Sequence, residues 1–300
     1  MAAASGRSSM SRYKYLPSAL AEVLTSQGIT VRRPVSGFQA GLHRSPHQGA
    51  SIEFAEYRPY SPGDPTNRID WPVYARTDKY LIRQCYEETN LRAYVLLDTS
   101  ASLAFRDEGP VTKMEYGCFL AAGLMYILVN QRDAVALMTF DKRLQKGFAP
   151  VSTSEGLRPM LEHLETIQAG GCGDIEASLH EATNRIVSKS LVIVISDFLQ
   201  NAEMLLRGIR HLHHDGHNIM IFHIMDRGER RLSFRGMAEL VDLESKRRLV
   251  LDVDEIRDAY QTAVALHQET LRTACTNCLA SYHLIETTQP VESVLSKLGS

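Results

Sequence analysis

Three oxygen-bearing side chains stand at alternate positions in YVLLDTSASL, residues 94–103: Asp98, Ser100 and Ser102. Asp98 closes an apolar run that reads as a buried strand. Asp197 closes a second such run, in SLVIVISDF. Two strand-end carboxylates delivered to one edge of a sheet repel each other in a low dielectric, and a divalent cation relieves that repulsion. The hydroxyls of Ser100 and Ser102 would add neutral oxygens. Mg²⁺ takes about six oxygens in octahedral geometry and keeps part of its water. The chemistry to which these residues point is therefore binding of Mg²⁺ or Mn²⁺, with a coordination position left for an incoming carboxylate.

The surrounding pattern supplies elements able to position them. Strands are predicted at 93–98, 133–140, 190–196, 218–225 and near 281–286. Helices are predicted at 113–130, 154–165, 174–188, 201–213, 254–275 and 290–298. Strands alternating with helices predict an α/β fold with a mostly parallel sheet and helices on both faces. In such sheets ligands bind beyond the carboxyl ends of the strands, where Asp98 and Asp197 fall. Ahead of this domain, at 93–300, the sequence predicts a disordered tail at 1–12 and a flanking module at 13–92. That module opens with a short helix in LPSALAEVLTSQGI and continues as a β-rich segment with extended runs near 69–76 and 80–87.

Bulk properties narrow the function classes. The chain has 300 residues, 44% hydrophobic and 23% charged, with a formal net charge of −2. A balanced charge draws it to neither nucleic acid nor anionic lipid. The longest apolar stretch, FLAAGLMYILV, is too short for a bilayer, so no direct membrane span is expected. Five scattered cysteines and no secretory leader point to the cytoplasm.

Catalytic sets are missing. An aspartyl nucleophile of the phosphatase kind usually has a second Asp two residues on, where Ser100 stands here. The sequence shows no Gly-x-Ser-x-Gly elbow and no phosphate-cradling Gly-rich loop. The expectation is a non-enzymatic protein. CTNC at 275–278 lacks the second pair that zinc requires, and the histidines of HLHHDGH suit a helix C-terminus. RGERR and SKRR read as solvated loops or as a face for an acidic partner.

DTSAS resembles the Asp-x-Ser-x-Ser signature of von Willebrand factor A-like domains, the metal-ion-dependent adhesion site (MIDAS). The resemblance implies metal ligation by Asp98, Ser100, Ser102 and Asp197. The family's middle element, a Gly-Gly-Thr-Asp-like turn, departs here to AGGCGDIEASL: Cys172 or Gly173 takes the place of the Thr, beside Asp174. Asp174 is either a compensating ligand or the cap of the helix that follows.

A longer pattern, EFAEYRPYSPGDPTNRIDWPVYART followed by YEE, is similar to the signature of bacterial domain-of-unknown-function family 58 (DUF58). The match runs through Glu53, Phe54, Arg58, Tyr60, Gly63, Asp64, Arg68, Ile69, Asp70, Trp71, Ala75 and Arg76. The block reads as a partner-binding surface or, preferably, as an Arg–Asp network holding the module around Trp71. The resemblance implies a MoxR-type AAA+ ATPase, or its client protein, as partner. The alternatives to metal-bridged docking are a metal-free structural scaffold and, behind it, a metal-dependent hydrolase or phosphatase.

Overall fold

The computed structural model describes residues 13–31, 52–61, 66, 69–87, 91–187 and 189–298. The chain divides into two compact units, Met1–Gly37 with Leu91–Ser300, and Phe38–Asn90. Helix α1 (Ser18–Ser26) belongs to the first. Its Leu20 and Leu24 join Leu120 and Leu124 in a common core, so the helix does not form one module with residues 38–90, as the grouping 13–92 expected. An amphipathic helix goes where its apolar stripe is buried, whatever its neighbours in sequence.

The second unit holds β1 (Ile52–Pro59), α2 (Trp71–Thr77) and β2 (Leu81–Glu87), with β1 and β2 antiparallel. The extended run expected near 69–76 is instead α2. Asp70 caps it by accepting from the Val73 amide at 3.2 Å, and Pro72 sits in the first turn, where its missing N–H costs nothing. Trp71 is 53% exposed and so does not serve as a buried centre for the module. The expected pairing of Arg58, Asp64 and Arg68 lies outside the described residues.

The first unit is built on β3 (Arg92–Asp98), α3 (Lys113–Asn130), β4 (Ala134–Phe140), β5 (Leu144–Gly147), α4 (Ser154–Thr166), α5 (Ile175–Thr183) and β6 (Leu191–Ser196). It continues through α6 (Ala202–His214), β7 (Asn218–Met225), α7 (Arg227–Arg231), β8 (Met237–Val241) and β9 (Arg248–Asp252). It ends with α8 (Val253–Asn277), β10 (Ser281–Glu286) and α9 (Val291–Ser296). Among the described residues, six strands form one sheet in the order β10-β7-β6-β3-β4-β5. Its ladders are parallel apart from the short edge strand β5. The mostly parallel α/β fold with helices on both faces is thus the one the sequence predicts.

Alternation along β3 shows how the two layers form. Ala93, Val95 and Leu97 face a core completed by α1, α3, α4 and α9. Tyr94 and Leu96 face the other, completed by α5, α6 and α8. Being buried on both faces explains why β3 and β6 read as unbroken apolar runs. Helix α3 lies almost entirely inside, started by a capping box in which Thr112 and Glu115 exchange hydrogen bonds of 3.1 and 3.2 Å. No described helix is long and apolar enough to cross a membrane. The sequence reading has no counterpart for edge strand β5, for α7, where RGERR reads as a loop, or for the hairpin β8–β9, which lies outside the main sheet.

Candidate metal centre

The strand order reverses at β3, which has β4 on one side and β6 on the other. A crevice opens at such a switch point, beyond the carboxyl ends. Leu97 pairs with Ile195, which brings Asp98 level with Ser196. The Ser196 hydroxyl donates to Asp98 Oδ2 at 2.6 Å and accepts from the Phe198 amide at 3.1 Å. Asp98 Oδ1 accepts from the Ser100 amide at 2.8 Å, and the Ser100 and Ser102 hydroxyls lie 3.1 Å apart. All four side chains are buried. Burial first, and repulsion from Asp197 second, push Asp98 up to about 7 against an ordinary 3.8, despite those hydrogen bonds.

Asp197 is buried as well, and Lys113 is fully buried beside it. Lys113 Nζ donates to Asp197 Oδ2 at 2.8 Å and to both carboxylate oxygens of Glu229 at 3.0 Å. Lys113 opens α3, where the helix dipole disfavours a cation, and burial also pulls its pKa down. Asp197 and Glu229 outweigh that burial and hold it above the ordinary lysine value. Two carboxylates, Asp197 and Glu229, share this one ammonium, and Asp98, repelled by Asp197, adds a third acid group to the cluster. Immediately after Asp197, Phe198 adopts a left-handed backbone with φ 45°, a strained conformation for a bulky residue.

Asp98, Ser100, Ser102, Ser196 and Asp197 line one pocket of about 300 Å³, together with Asp242 and Glu244 from the tip of hairpin β8–β9. The middle loop is stitched to it: Gly170 N–H donates to the Thr99 carbonyl at 2.8 Å and Ala101 N–H to Gly171 at 3.1 Å. Asp174 does not reach this pocket. It caps α5, accepting from the Ala177 amide at 3.0 Å, and lines a separate cavity with Glu176, His180 and Arg207. The helix-capping alternative is the one that the structure displays, because a side chain turned back onto its own helix faces away from β3. Glu244 comes instead to the loop that lacks Thr, with both carboxylate oxygens 3.4 Å from Gly173 N, and it shares the pocket lining with Ser102. Burial raises its pKa.

Among the described residues, no three His, Cys, Asp or Glu side chains gather closely enough to hold a metal by themselves. The donor set here is mixed, two carboxylates and two hydroxyls, and such hard oxygens suit Mg²⁺ or Mn²⁺. Sequence reasoning missed Lys113, Ser196, Glu229 and Glu244. A lone lysine at the head of an otherwise apolar helix was a readable signal for the first; Glu229 and Glu244 depend on contacts distant in sequence.

A third strand-end carboxylate, Asp226 after β7, shows what a purely structural one looks like. It accepts from the amides of Asp107, Glu108, Gly109 and Gly228 and from the Thr287 hydroxyl, at 2.8–3.3 Å. Its acceptor capacity is filled by the chain, whereas Asp98 and Asp197 open onto a pocket.

The mostly parallel sheet carries the Asp-x-Ser-x-Ser loop at its switch point, which makes the chain an α/β protein with its candidate site at the carboxyl ends of the strands. Residues 56–270 match the family described as Protein of unknown function DUF58, and the chain belongs to that family. It is 24% identical over 265 residues to uncharacterized protein Rv1480 of Mycobacterium tuberculosis, covering 86% of this chain and 82% of that protein. The same figures hold for uncharacterized protein Mb1516 of Mycobacterium bovis. Among solved structures, BatB from Bacteroides thetaiotaomicron is similar with TM-score 0.44 and 13% identity, over 69% of this chain and 96% of that one. The SpRpn10 VWA domain gives TM-score 0.42 and 13% identity, over 70% and 94%.

Proposed function

We propose that this protein is a non-enzymatic interaction module that binds Mg²⁺ or Mn²⁺ through Asp98, Ser100, Ser102 and Asp197 and docks an acidic side chain of a partner protein there. The observation that carries this reading is the convergence of these four side chains in one pocket, where Asp197 shares its one ammonium with Glu229. A bound cation would supply a positive charge that the chain provides only in part. The protein's own groups do the remaining work: Ser196 and the Ser100 amide orient Asp98, and Lys113 orients Asp197. A MoxR-type AAA+ ATPase or its client protein is the proposed partner, on the strength of the family resemblance; a cytoplasmic location fits that partner.

Isothermal titration with Mg²⁺ and Mn²⁺ after EDTA treatment and dialysis, alongside Asp98→Ala, tests the proposal. Saturable binding that is lost in the variant supports it. Absence of binding at millimolar ion overturns it in favour of a metal-free scaffold, a reading with its own support in Lys113, which already places an ammonium 2.8 Å from Asp197.

A further inference from the structure

Hairpin β8–β9 is an arm that the main sheet does not use. Its strands pair with each other, and Met237, Leu249 and Val250 are 69%, 59% and 62% exposed. Its tip, in contrast, is locally well defined. Asp242 Oδ1 accepts from the amides of Glu244 and Ser245 at 2.9 and 3.3 Å, and Asp242 Oδ2 accepts from the Ser245 hydroxyl. Lys246 takes the left-handed conformation, φ 59°, that lets the chain reverse. This turn presents Glu244 to the pocket as a preset carboxylate.

The receiving groups are equally specific. Both Glu244 oxygens face the Gly173 N–H at 3.4 Å, and the Ser102 hydroxyl lines the same pocket. A side chain at 173 would have to displace the Gln200 amide, whose Nε2 would lie 2.5 Å from its Cβ. Among the described residues Glu244 has no Lys or Arg partner. It is held by a neutral amide at long distance and repelled by Asp197 and Asp242. A carboxylate bound in this way is exchangeable.

We propose that the Gly173 N–H and the Ser102 hydroxyl form a carboxylate-receiving subsite, that Glu244 occupies it in the resting protein, and that an acidic side chain of a partner enters by displacing the hairpin tip. The inference rests on the reading of this pocket as the docking site, but the two donors are the protein's own and do not require the cation. The partner group it specifies is a Glu or Asp presented on a narrow turn, as Glu244 is.

The probe is a fluorescein-labelled peptide of residues 237–252, closed end to end to keep the hairpin. Its anisotropy is titrated with the wild-type chain, Glu244→Ala and Glu244→Gln in millimolar Mg²⁺, after thermal melts have established that the variants fold. The vacated proteins are expected to bind the peptide about tenfold more tightly than wild type, or about 1.4 kcal/mol. A peptide carrying Gln at 244 is expected to lose that binding. Equal binding to all three proteins, binding to none, or no preference for the Glu peptide overturns the proposal. Arms in EDTA and with Asp98→Ala separate the two readings. Peptide binding that persists there leaves the subsite standing without the cation. Mg²⁺ binding without peptide discrimination leaves the cation and removes the subsite.

Discussion

Lys113 Nζ lies 2.8 Å from Asp197 Oδ2 in the interior of the protein, and the same ammonium contacts Glu229 at 3.0 Å. The pair ties the first turn of α3 to the end of β6, so that the candidate ligand Asp197 is fixed from outside its own strand. Breaking such a pair leaves an uncompensated buried charge, at a cost of about 3–5 kcal/mol. Lys113→Met keeps the side-chain length and removes the charge; a loss of that size is expected in urea unfolding. Lys113→Met with Glu229→Gln should recover part of it, because one of the stranded carboxylates is gone. If the double variant is no better than the single, the stabilisation lies in packing around the lysine stem rather than in the charge network.

The elevated Asp98 carboxyl makes a prediction about pH. Its folded value, about 7, lies above the ordinary 3.8, so the folded chain holds a proton that the unfolded chain releases. The stability due to this proton is fully present below pH 3.8 and is lost as pH rises through about 7. In EDTA the wild-type chain should therefore lose stability across this window, by up to about 4 kcal/mol. Asp98→Asn cannot titrate and should show a flatter profile. Mg²⁺ should restore wild-type stability on the alkaline side, where the carboxylate is ionised. Parallel pH profiles for wild type and Asp98→Asn, measured by urea unfolding, would remove the strained carboxylate from the account.

Asp226, at the end of neighbouring β7, is expected to behave in the opposite way. Burial alone would raise its pKa, but the amides of Gly228, Glu108, Asp107 and Gly109 outweigh burial and hold it below the ordinary 3.8. Its contribution to stability is present above pH 3.8 and disappears as pH falls through the lowered folded value. Asp226→Asn should cost about 1–3 kcal/mol at neutral pH by turning an N–H donor toward other donors. The difference from wild type should shrink in acid, where Asp226 is itself protonated. A cost that is independent of pH would mean that shape, not charge, secures the 107–109 loop.

These three aspartates mark the boundary of what the sequence reveals. Unbroken apolar runs made β3 and β6 visible, and the alternating oxygens after Asp98 marked the site. The functions of strand-end carboxylates diverge largely through partners distant in sequence, such as Glu108 for Asp226 or Ser196 for Asp98. Periodicity carries no trace of those pairings. The α2 segment failed for a local reason: Asp-Trp-Pro is a helix-start signal, but short β-branched and aromatic content around it reads as strand. Hairpin β8–β9 was hidden because its strands are largely exposed, with only Ala238, Leu240 and Leu251 among their apolar residues half-buried. Exposed strands lack the apolar alternation by which half-buried ones are recognised.

The last prediction concerns the tip of that hairpin. Asp242 accepts from two successive amides and one hydroxyl, which makes it the organiser of the turn that presents Glu244. The surrounding residues are exposed, so the turn adds little to global stability. Asp242→Ala should leave the urea midpoint within about 0.5 kcal/mol of wild type. Locally it should act strongly: the amides of Glu244 and Ser245 lose their acceptor and should exchange with deuterium faster. Lys246 and Arg247, on the same exposed turn, should become faster sites of tryptic cleavage. Unchanged exchange at 244–245 would show that contact with Gly173 holds the tip without help from the turn. Glu244 would then be anchored by its receiving groups rather than delivered to them.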